Sequence, residues 1–186
     1  NKLENLQGAV NLINNAVGHV KKVSSVYRTK SWGFEGDDFY NMCIELSSSL
    51  NPEKMISTVL GIEHKMGRER NSGRGYKDRL IDIDSLLFDD EIIFFNDLKV
   101  PHPQMLNRKF VLVPLTEIAP NVIHPIVKKT ILICLQHCSD QETIEKVEET
   151  IIRPISLVEK YNFITIEGNI GSGKTSLAHK INDDFN

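Results

Sequence analysis

The chain is short of the features that mark membrane proteins and disulfide-bonded proteins. Its 186 residues contain three cysteines, one tryptophan and no long apolar run. An odd number of cysteines (Cys43, Cys134 and Cys138) without the spacing of metal ligands predicts reduced thiols in a cytoplasmic protein. The lack of a long apolar run predicts that the chain has no membrane partner.

The rest of the composition is typical of a soluble globular domain with an extension. Hydrophobic residues make up 40% and charged residues 25% of the sequence, and the formal net charge is -3. A slightly acidic chain is poorly suited to binding a phosphate backbone, so we expect small-molecule substrates and no nucleic acid. We also expect the first domain to be monomeric.

The most informative stretch is Arg79-Leu80-Ile81-Asp82-Ile83-Asp84. Successive side chains of a strand point to opposite faces, so Asp82 and Asp84 are predicted to project together while the isoleucines face an apolar layer. Paired carboxylates favour a bound cation, and Mg2+ takes one or two carboxylates together with phosphate oxygens. The pattern therefore predicts a site for Mg-ATP.

A basic, glycine-rich loop precedes this stretch and runs from His64 to Arg79. Arginine offers a planar set of donors that matches phosphate oxygens, and glycine lets a backbone close over a ligand. A run of charge is more often a solvated surface, and taken alone this loop favours that interpretation. Beside the paired aspartates, phosphate binding becomes the favoured hypothesis.

Two further motifs follow, Val100-Pro101-His102-Pro103 and Asn107-Arg108-Lys109-Phe110. The prolines on both sides of His102 fix the loop that carries it. A lone histidine is more often structural than catalytic, so His102 becomes a candidate only in combination with the other motifs.

Taken in order, Gly67-Arg68-Glu69-Arg70, Asp78-Arg79-Leu80-Ile81-Asp82-Ile83-Asp84 and these two motifs resemble the 6-hydroxymethyl-7,8-dihydropterin pyrophosphokinase family. The resemblance covers residues 1 to about 140. It implies an enzyme of folate biosynthesis that transfers the pyrophosphoryl group of ATP to the hydroxymethyl oxygen of the pterin and releases AMP. It also implies two Mg2+ ions, with ATP as the co-substrate.

The resemblance assigns roles to the charged residues. Asp82 and Asp84 would hold both Mg2+ ions, which offset charge developing at the β-phosphorus. The arginines would position and neutralise the triphosphate without acting as bases. The implied catalytic residues are Arg68, Arg79, Asp82 and Asp84, and the implied ATP-binding residues are Glu63, Arg70, Arg74, Lys99, His102 and Arg108.

The resemblance also implies a pterin pocket. Phe39 and Phe110 match two aromatic positions that sandwich the ring, and Asn41 would hydrogen-bond its amide edge. Spacing alone would instead favour ordinary core positions for both phenylalanines. The implied pterin-binding residues are Thr29, Trp32, Gly33, Phe39, Asn41 and Phe110.

Several positions depart from the family pattern. Leu60 stands where a glutamine is expected, and Asp97 with Lys99 replaces an arginine and threonine pair on the nucleotide side. Tyr76 is the nearest aromatic to the tryptophan that is common in the basic loop. The adenine contacts are therefore unassigned, whereas the aspartate pair is unaffected.

The fold class predicted is α+β, a ferredoxin-like sandwich with helices over a mainly antiparallel sheet. Family members open with a buried strand and a glycine-containing turn, so we expect that this first strand is missing here. Leu3, Leu6, Val10, Ile13 and Val17 mark an opening helix, and Asn51-Pro52 starts another. Strands are predicted at 23–27, 42–46, 80–88 and 91–95, and further helices at 111–119 and 129–137.

A second signature follows a charged stretch that we interpret as a weakly helical connector. The predicted domains are residues 1–140 and 161–186, with a linker at 141–160. A hydrophobic strand at 161–166, a glycine-rich loop and a helical pattern together predict a P-loop, in which Lys174 bridges phosphates and Thr175 ligates Mg2+. Its residues are Gly168, Gly171, Ser172, Gly173, Lys174 and Thr175.

The wording of this loop resembles deoxynucleoside kinases. The resemblance implies that the complete protein is bifunctional and that these 186 residues catalyse at most the pterin reaction. Two other functions stay open at this point: a P-loop kinase with a regulatory first domain, or a ferredoxin-like module that binds single-stranded RNA. Salt-dependent RNA binding without Mg2+ would favour the last of these.

Overall fold

The computed structural model of the chain describes residues 1–30, 38–67, 80–95, 98–155, 157–160 and 171–185. The chain divides into one unit at residues 1–153 and another at 154–186, and each is described by itself. Among the described helices, none combines the length and the apolar character needed to cross a bilayer.

The two long helices of the first unit begin at side-chain caps. Helix α1 spans Lys2–Ala16, with the Asn1 side chain accepting a hydrogen bond from Leu3 N at 3.2 Å. Helix α2 spans Pro52–Lys65, and the Asn51 side chain accepts from Lys54 N at 2.8 Å. An asparagine N-cap followed by proline at the first helical position satisfies the exposed N–H groups, which confirms both predicted helices.

Seven short strands form three antiparallel sheets in the described ranges. Strand β1 pairs with β4, β2 lies between β3 and β7, and β5 pairs with β6. Helices and antiparallel strands together agree with the predicted α+β class, while the ferredoxin-like strand order stays a prediction. The strands are β1 His19–Val23, β2 Tyr27–Thr29, β3 Phe39–Asn41, β4 Ile44–Ser47, β5 Ile93–Phe95, β6 Leu98–Val100 and β7 Glu145–Lys146.

The prediction of one strand across residues 23–27 is wrong, because the chain changes sheets there. Strand β1 ends at Val23, and the buried Ser24 interrupts the ladder. Ser24 N donates to Cys43 O at 2.9 Å, and Cys43 N donates to the Ser24 hydroxyl at 2.9 Å. A side-chain acceptor thus replaces a backbone one, so β2 begins only at Tyr27 and β4 begins later than predicted.

The strand predicted at residues 80–88 is also wrong. This acidic segment, as we name residues 80–88, has no assigned strand pairing. Two isolated hydrogen bonds attach it instead: Ile83 N donates to the Glu63 carboxylate at 2.9 Å, and His102 N donates to Leu86 O at 2.8 Å. Strand β5 therefore pairs with β6 rather than with the acidic segment.

Two shorter helices and a single 3-10 turn complete the described second half of this unit. The 3-10 turn is Met105–Asn107, helix α3 is Lys109–Ile118 and helix α4 is Ile131–Gln136. The last two confirm the predicted helices, with bounds shifted by a few residues. The three cysteines are free, and Cys138 is half-buried rather than buried as predicted.

The core of the first unit consists of two clusters of buried apolar side chains. The first lies between α1, α2 and the β1–β4 pair, and the second lies around α3 and α4. Ile83 of the acidic segment packs on the first cluster, and Leu87 packs on the second. The acidic segment therefore touches both clusters although it belongs to no sheet.

The stretch at residues 140–153, which we name the closing segment, returns to the first unit. The predicted helical character is wrong here, because β7 adds to the open edge of β2 and Val147 N donates to Val26 O at 2.9 Å. Ile151 is buried in the first cluster. An unpaired strand edge accepts a passing strand readily, since its N–H and C=O groups need partners.

The second unit holds two described helices, α5 at Leu157–Lys160 and α6 at Lys174–Phe185. Gly171 and Gly173 precede α6 with φ near +80°, a conformation that glycine adopts without steric cost. The helix predicted after the glycine-rich loop is therefore present, and it begins at Lys174. The strand predicted at 161–166 lies outside the described residues.

Candidate active site

The two aspartates of the acidic segment lie on its exposed side. Asp82 and Asp84 are exposed, whereas Ile81, Ile83 and Leu87 are half-buried. The predicted alternation of exposure is therefore present, although no ladder produces it. The hydrogen bond from Ile83 N to Glu63 fixes the backbone between the two carboxylates.

Glu63 is a buried acid, with 1% of its surface exposed, near the end of α2. A buried carboxylate is costly unless it is hydrogen-bonded, and Ile83 N donates one such bond at 2.9 Å. Because the acidic segment lacks a neighbouring strand, Glu63 supplies an acceptor that a ladder would otherwise provide. The direct contact in the structure is thus to the backbone of the acidic segment.

His102 and Arg108 lie close enough to Asp84 for their charges to interact. Burial lowers the pKa of His102 from its usual value; the Asp84 carboxylate opposes this shift and the Arg108 guanidinium adds to it. The Gln104 backbone N–H donates to Nδ1 of His102 at 3.2 Å. With Nδ1 accepting, the proton of the neutral ring is on Nε2, so His102 offers one N–H donor.

The donors at this place fit Mg2+ better than a softer metal. Both aspartates present carboxylate oxygens, and no group of three or more His, Cys, Asp or Glu side chains arranged for a metal exists among the described residues. Mg2+ accepts one or two protein carboxylates and completes its shell with waters and phosphate oxygens. Zinc sites, by contrast, take four protein ligands or three with one water.

A second group of predicted site residues lies on β2 and β3. Asn41 Nδ2 donates to the Thr29 hydroxyl at 3.1 Å, across the ladder that pairs Thr29 with Phe39. Thr29 is buried, Asn41 is half-buried, and the Phe39 side chain is 49% exposed. An aromatic ring exposed to this degree is available to stack on a planar ligand.

Phe110 and Arg108 are neighbours at the start of α3. The Arg108 guanidinium lies 5.8 Å from the centre of the Phe110 ring, within range of a cation–π contact. Both side chains are half-buried. The start of α3 therefore carries an aromatic ring and the cation whose charge acts on His102.

The remaining predicted residues divide into described and undescribed sets. Lys99 is exposed on β6, opposite Phe94 of β5. Residues Gly171, Ser172, Gly173, Lys174 and Thr175 form the start of α6 and the turn before it. Outside the described residues lie Trp32, Gly33, Arg68, Arg70, Arg74, Arg79 and Gly168.

One polar residue at this site was missed by the sequence analysis. Asp140 accepts a hydrogen bond from Lys109 N at 2.8 Å, at the first residue of α3. The only signal in the sequence is indirect: α3 has no acidic residue in its first turn, and its N-cap residue Arg108 makes no side-chain cap. Nothing in the sequence around Asp140 connects it to a helix 31 residues earlier.

Comparison with known proteins decides the family. A model described as 7,8-dihydro-6-hydroxymethylpterin-pyrophosphokinase (HPPK) matches residues 1–120. The chain belongs to this family. HPPK proteins are ATP-dependent pyrophosphokinases, and this chain is therefore an enzyme of the transferase class.

Individual HPPK relatives cover most of the chain. A 2-amino-4-hydroxy-6-hydroxymethyldihydropteridine pyrophosphokinase of Synechocystis is 38% identical over 155 residues, which is 83% of this chain and 74% of the relative. The protein of the same description from Aquifex aeolicus is 42% identical over 59% of this chain and 68% of its own length. The Bacillus subtilis protein is 43% identical over 63% and 70%, respectively.

Proposed function

We propose that this chain transfers the pyrophosphoryl group of ATP to 6-hydroxymethyl-7,8-dihydropterin, giving AMP and the pterin diphosphate, a step of folate biosynthesis. The relatives carry this chemistry in their names. The observation that carries the proposal is the acidic segment: two exposed carboxylates separated by a residue that Glu63 fixes, with His102 and Arg108 beside Asp84.

In the proposed reaction, the hydroxymethyl oxygen of the pterin forms a bond to the β-phosphorus of ATP. The bond from that phosphorus to the oxygen shared with the α-phosphate breaks, AMP leaves with the electron pair, and the hydroxyl proton passes to solvent. Phosphoryl transfer of this kind depends mainly on alignment and on electrostatic stabilisation. The residues of the site therefore need to hold and neutralise their substrates rather than to react with them.

Asp82 and Asp84 would hold Mg2+, for which we propose two ions. When bound, Mg2+ supplies positive charge to the phosphate oxygens. The exposure of both carboxylates leaves them accessible to a metal–nucleotide complex. Glu63 contributes indirectly by holding Ile83 N, so it is a positioning residue in this proposal.

His102 and Arg108 would contact the nucleotide. Neutral His102 presents the Nε2 proton, since its Nδ1 accepts from Gln104 N, and a donor of this kind suits a phosphate oxygen. Arg108 adds a permanent cation close to Asp84. Arg68, Arg70, Arg74 and Arg79 are proposed to join them from the basic loop, and Lys99 and Glu63 complete the nucleotide side.

The pterin would lie between Phe39 and Phe110. Offset stacking on a flat heterocycle contributes about 0.5–1.5 kcal/mol beyond the burial of area. Asn41, which is oriented by its hydrogen bond to Thr29, would recognise the amide edge of the pterin, because an amide side chain donates and accepts at once. Trp32 and Gly33 are proposed to complete this pocket.

The proposal is tested by incubating the chain with Mg-ATP and 6-hydroxymethyl-7,8-dihydropterin and separating the nucleotides. We expect AMP to form only when the pterin is present, in one-to-one ratio with the pterin diphosphate. Formation of ADP instead of AMP would show transfer of a single phosphoryl group. A lack of any pterin-dependent product would contradict the proposed function.

A second candidate function rests on the unit at 154–186. Two glycines with φ near +80° precede α6, and Lys174 is its first residue. Backbone N–H groups at such a helix start bind phosphate, and a lysine there contacts the terminal phosphates. We propose a second, P-loop nucleotide site here, of the deoxynucleoside kinase kind, in a bifunctional protein.

This second site has its own test. Binding of a fluorescent ATP analogue to the chain should show two sites, and Lys174→Ala should remove one of them. Pterin-dependent AMP formation should be unchanged in the Lys174→Ala variant. One binding site in the parent chain, with no change on substitution, would contradict the second nucleotide site without affecting the first.

A further inference from the structure

Helix α3 begins without a cap of its own. Its N-cap residue, Arg108, makes no side-chain hydrogen bond to the helix, and the first turn has no acidic residue. The first N–H groups of a helix have no partner inside it, and an anion near them is stabilising. This helix start therefore needs an acceptor from elsewhere in the protein.

Asp140 supplies that acceptor from the closing segment. Its Oδ2 accepts from Lys109 N at 2.8 Å, and its Oδ1 accepts from Glu142 N at 2.9 Å. The same carboxylate thus holds the helix start with one oxygen and its own loop with the other. Lys109 Nζ adds a weaker contact to Glu142 O at 3.5 Å.

The loop that carries Asp140 is itself anchored to the first unit on its far side. Strand β7 pairs with β2, and Arg28 of β2 forms an ion pair with Glu145. Further along, Ile152 N donates to the Gln7 side chain at 2.8 Å, and Ile151 is buried in the first cluster. Asp140 is therefore fixed from both directions rather than hanging on a free loop.

The two residues beside the capped N–H are site residues. Arg108 precedes Lys109 and Phe110 follows it, and their side chains lie 5.8 Å apart as measured from the guanidinium to the ring centre. Rotation of this helix start would move the cation and the ring together. Because Lys109 N is the atom that Asp140 holds, the cap sets the direction in which both side chains leave the backbone.

We infer that Asp140 is a positioning residue for substrate binding: by capping α3 from the closing segment, it orients Arg108 towards the nucleotide and Phe110 towards the pterin. This inference rests on the proposed function. It places a determinant of the site beyond residue 120, where the match to the family ends.

The first experiment measures the cap without any substrate. Hydrogen exchange at the amides of Lys109 to Leu112 should become faster in Asp140→Ala, because the acceptor of Lys109 N is lost. Asp140→Asn should show a smaller increase, since its amide retains one acceptor oxygen. Glu149→Ala, which removes an exposed charge from the same closing segment, should leave these amides unchanged. Equal exchange in the parent chain and in Asp140→Ala would overturn the cap.

The second experiment measures its consequence. In Asp140→Ala the KM values for ATP and for the pterin should each rise about tenfold, the factor that corresponds to about 1.4 kcal/mol, while kcat changes less. Asp140→Asn should restore part of the loss. A purely structural role would lower the fraction of active protein, and so kcat, at unchanged KM.

The outcomes separate the two proposals. A parent chain without pterin-dependent AMP formation overturns the proposed function and the positioning role with it. An active parent chain whose KM values are unchanged in Asp140→Ala overturns the positioning role alone. Higher KM values that occur equally in Glu149→Ala would also overturn it, because they would reflect the loss of charge and not the loss of the cap.

Discussion

The two sides of the proposed site are built in different ways. The pterin side lies on β2 and β3, where the ladder pairs Tyr27 with Asn41 and Thr29 with Phe39. The metal side lies on the acidic segment, which has no ladder and is held at Ile83 by the Glu63 carboxylate. The pterin side is thus positioned by repeated backbone bonds and the metal side by single contacts, so the two should respond differently to substitution.

The largest effect is expected from the carboxylates of the metal side. Asp82→Asn and Asp84→Asn should each lower kcat by about a thousandfold or more, because the amide is a poor Mg2+ ligand. Since both side chains are exposed, the free energy of unfolding should change by less than about 0.5 kcal/mol. Turnover assays and urea denaturation measure the two quantities.

A matched control for these variants is Asp89→Asn. Asp89 is exposed and has φ of 46°, a conformation that asparagine adopts as readily as aspartate. Its substitution should change neither turnover nor stability. Normal turnover in Asp82→Asn would contradict the assignment of the metal side.

The next effect concerns the contact that holds the acidic segment. Glu63→Ala removes the acceptor of Ile83 N and should lower the free energy of unfolding by about 1–3 kcal/mol. It should also reduce turnover, because the backbone between the two aspartates is released. Glu63→Gln keeps an acceptor oxygen and should lose less of both; equal losses in the two variants would show that the hydrogen bond to Ile83 is unimportant.

A smaller effect is expected on the pterin side. Phe110→Ala should raise the KM for the pterin about tenfold while changing the KM for ATP less, since one stacking surface is lost. Steady-state kinetics with each substrate varied in turn separates the two values. Phe94→Ala is the matched control, because that ring is 60% exposed on β5 and belongs to neither pocket. An equal change of both KM values would assign Phe110 to general packing.

The smallest effect is a pH dependence of stability near β2. Burial raises the pKa of Glu117, but hydrogen bonds from Ser25 and Tyr27 and the charge of Lys146 lower it to a net value below normal. A carboxyl group whose pKa is lower when folded stabilises the protein above its unfolded-state pKa. That contribution is lost as the pH falls through the folded-state pKa. Thermal unfolding at pH 3–7 should therefore show a weaker acid dependence in Glu117→Gln, and identical profiles would contradict this.

The sequence predicted most where local signals decide the structure. Helix α2 was identifiable because Asn51 and Pro52 define a helix start and the apolar stripe follows. The acidic segment was misassigned because alternating exposure indicates which side chains face solvent, not which backbone groups have partners. Its partners, Glu63 and His102, come from elements 20 and 16 residues away from Ile83 and Leu86.

The site itself was predicted from the family motifs, and geometry added what motifs do not contain. The exposure of Asp82 and Asp84 agrees with the predicted pair. The long-range bond from Asp140 to Lys109 N has no local signature, because a cap supplied by a distant segment depends on how the chain returns to the first unit. The roles of individual residues stay predictions until the variants above are measured.

The exposure of the two aspartates has a consequence for a cell that carries a damaged copy of this protein. A chain with Asp82 or Asp84 replaced keeps its core and the paired strands of the pterin side, because neither carboxylate supports them. Quality-control proteases act on unfolded chains, so such a copy would persist. It would go on occupying pterin without converting it, and would compete with intact enzyme for a scarce intermediate.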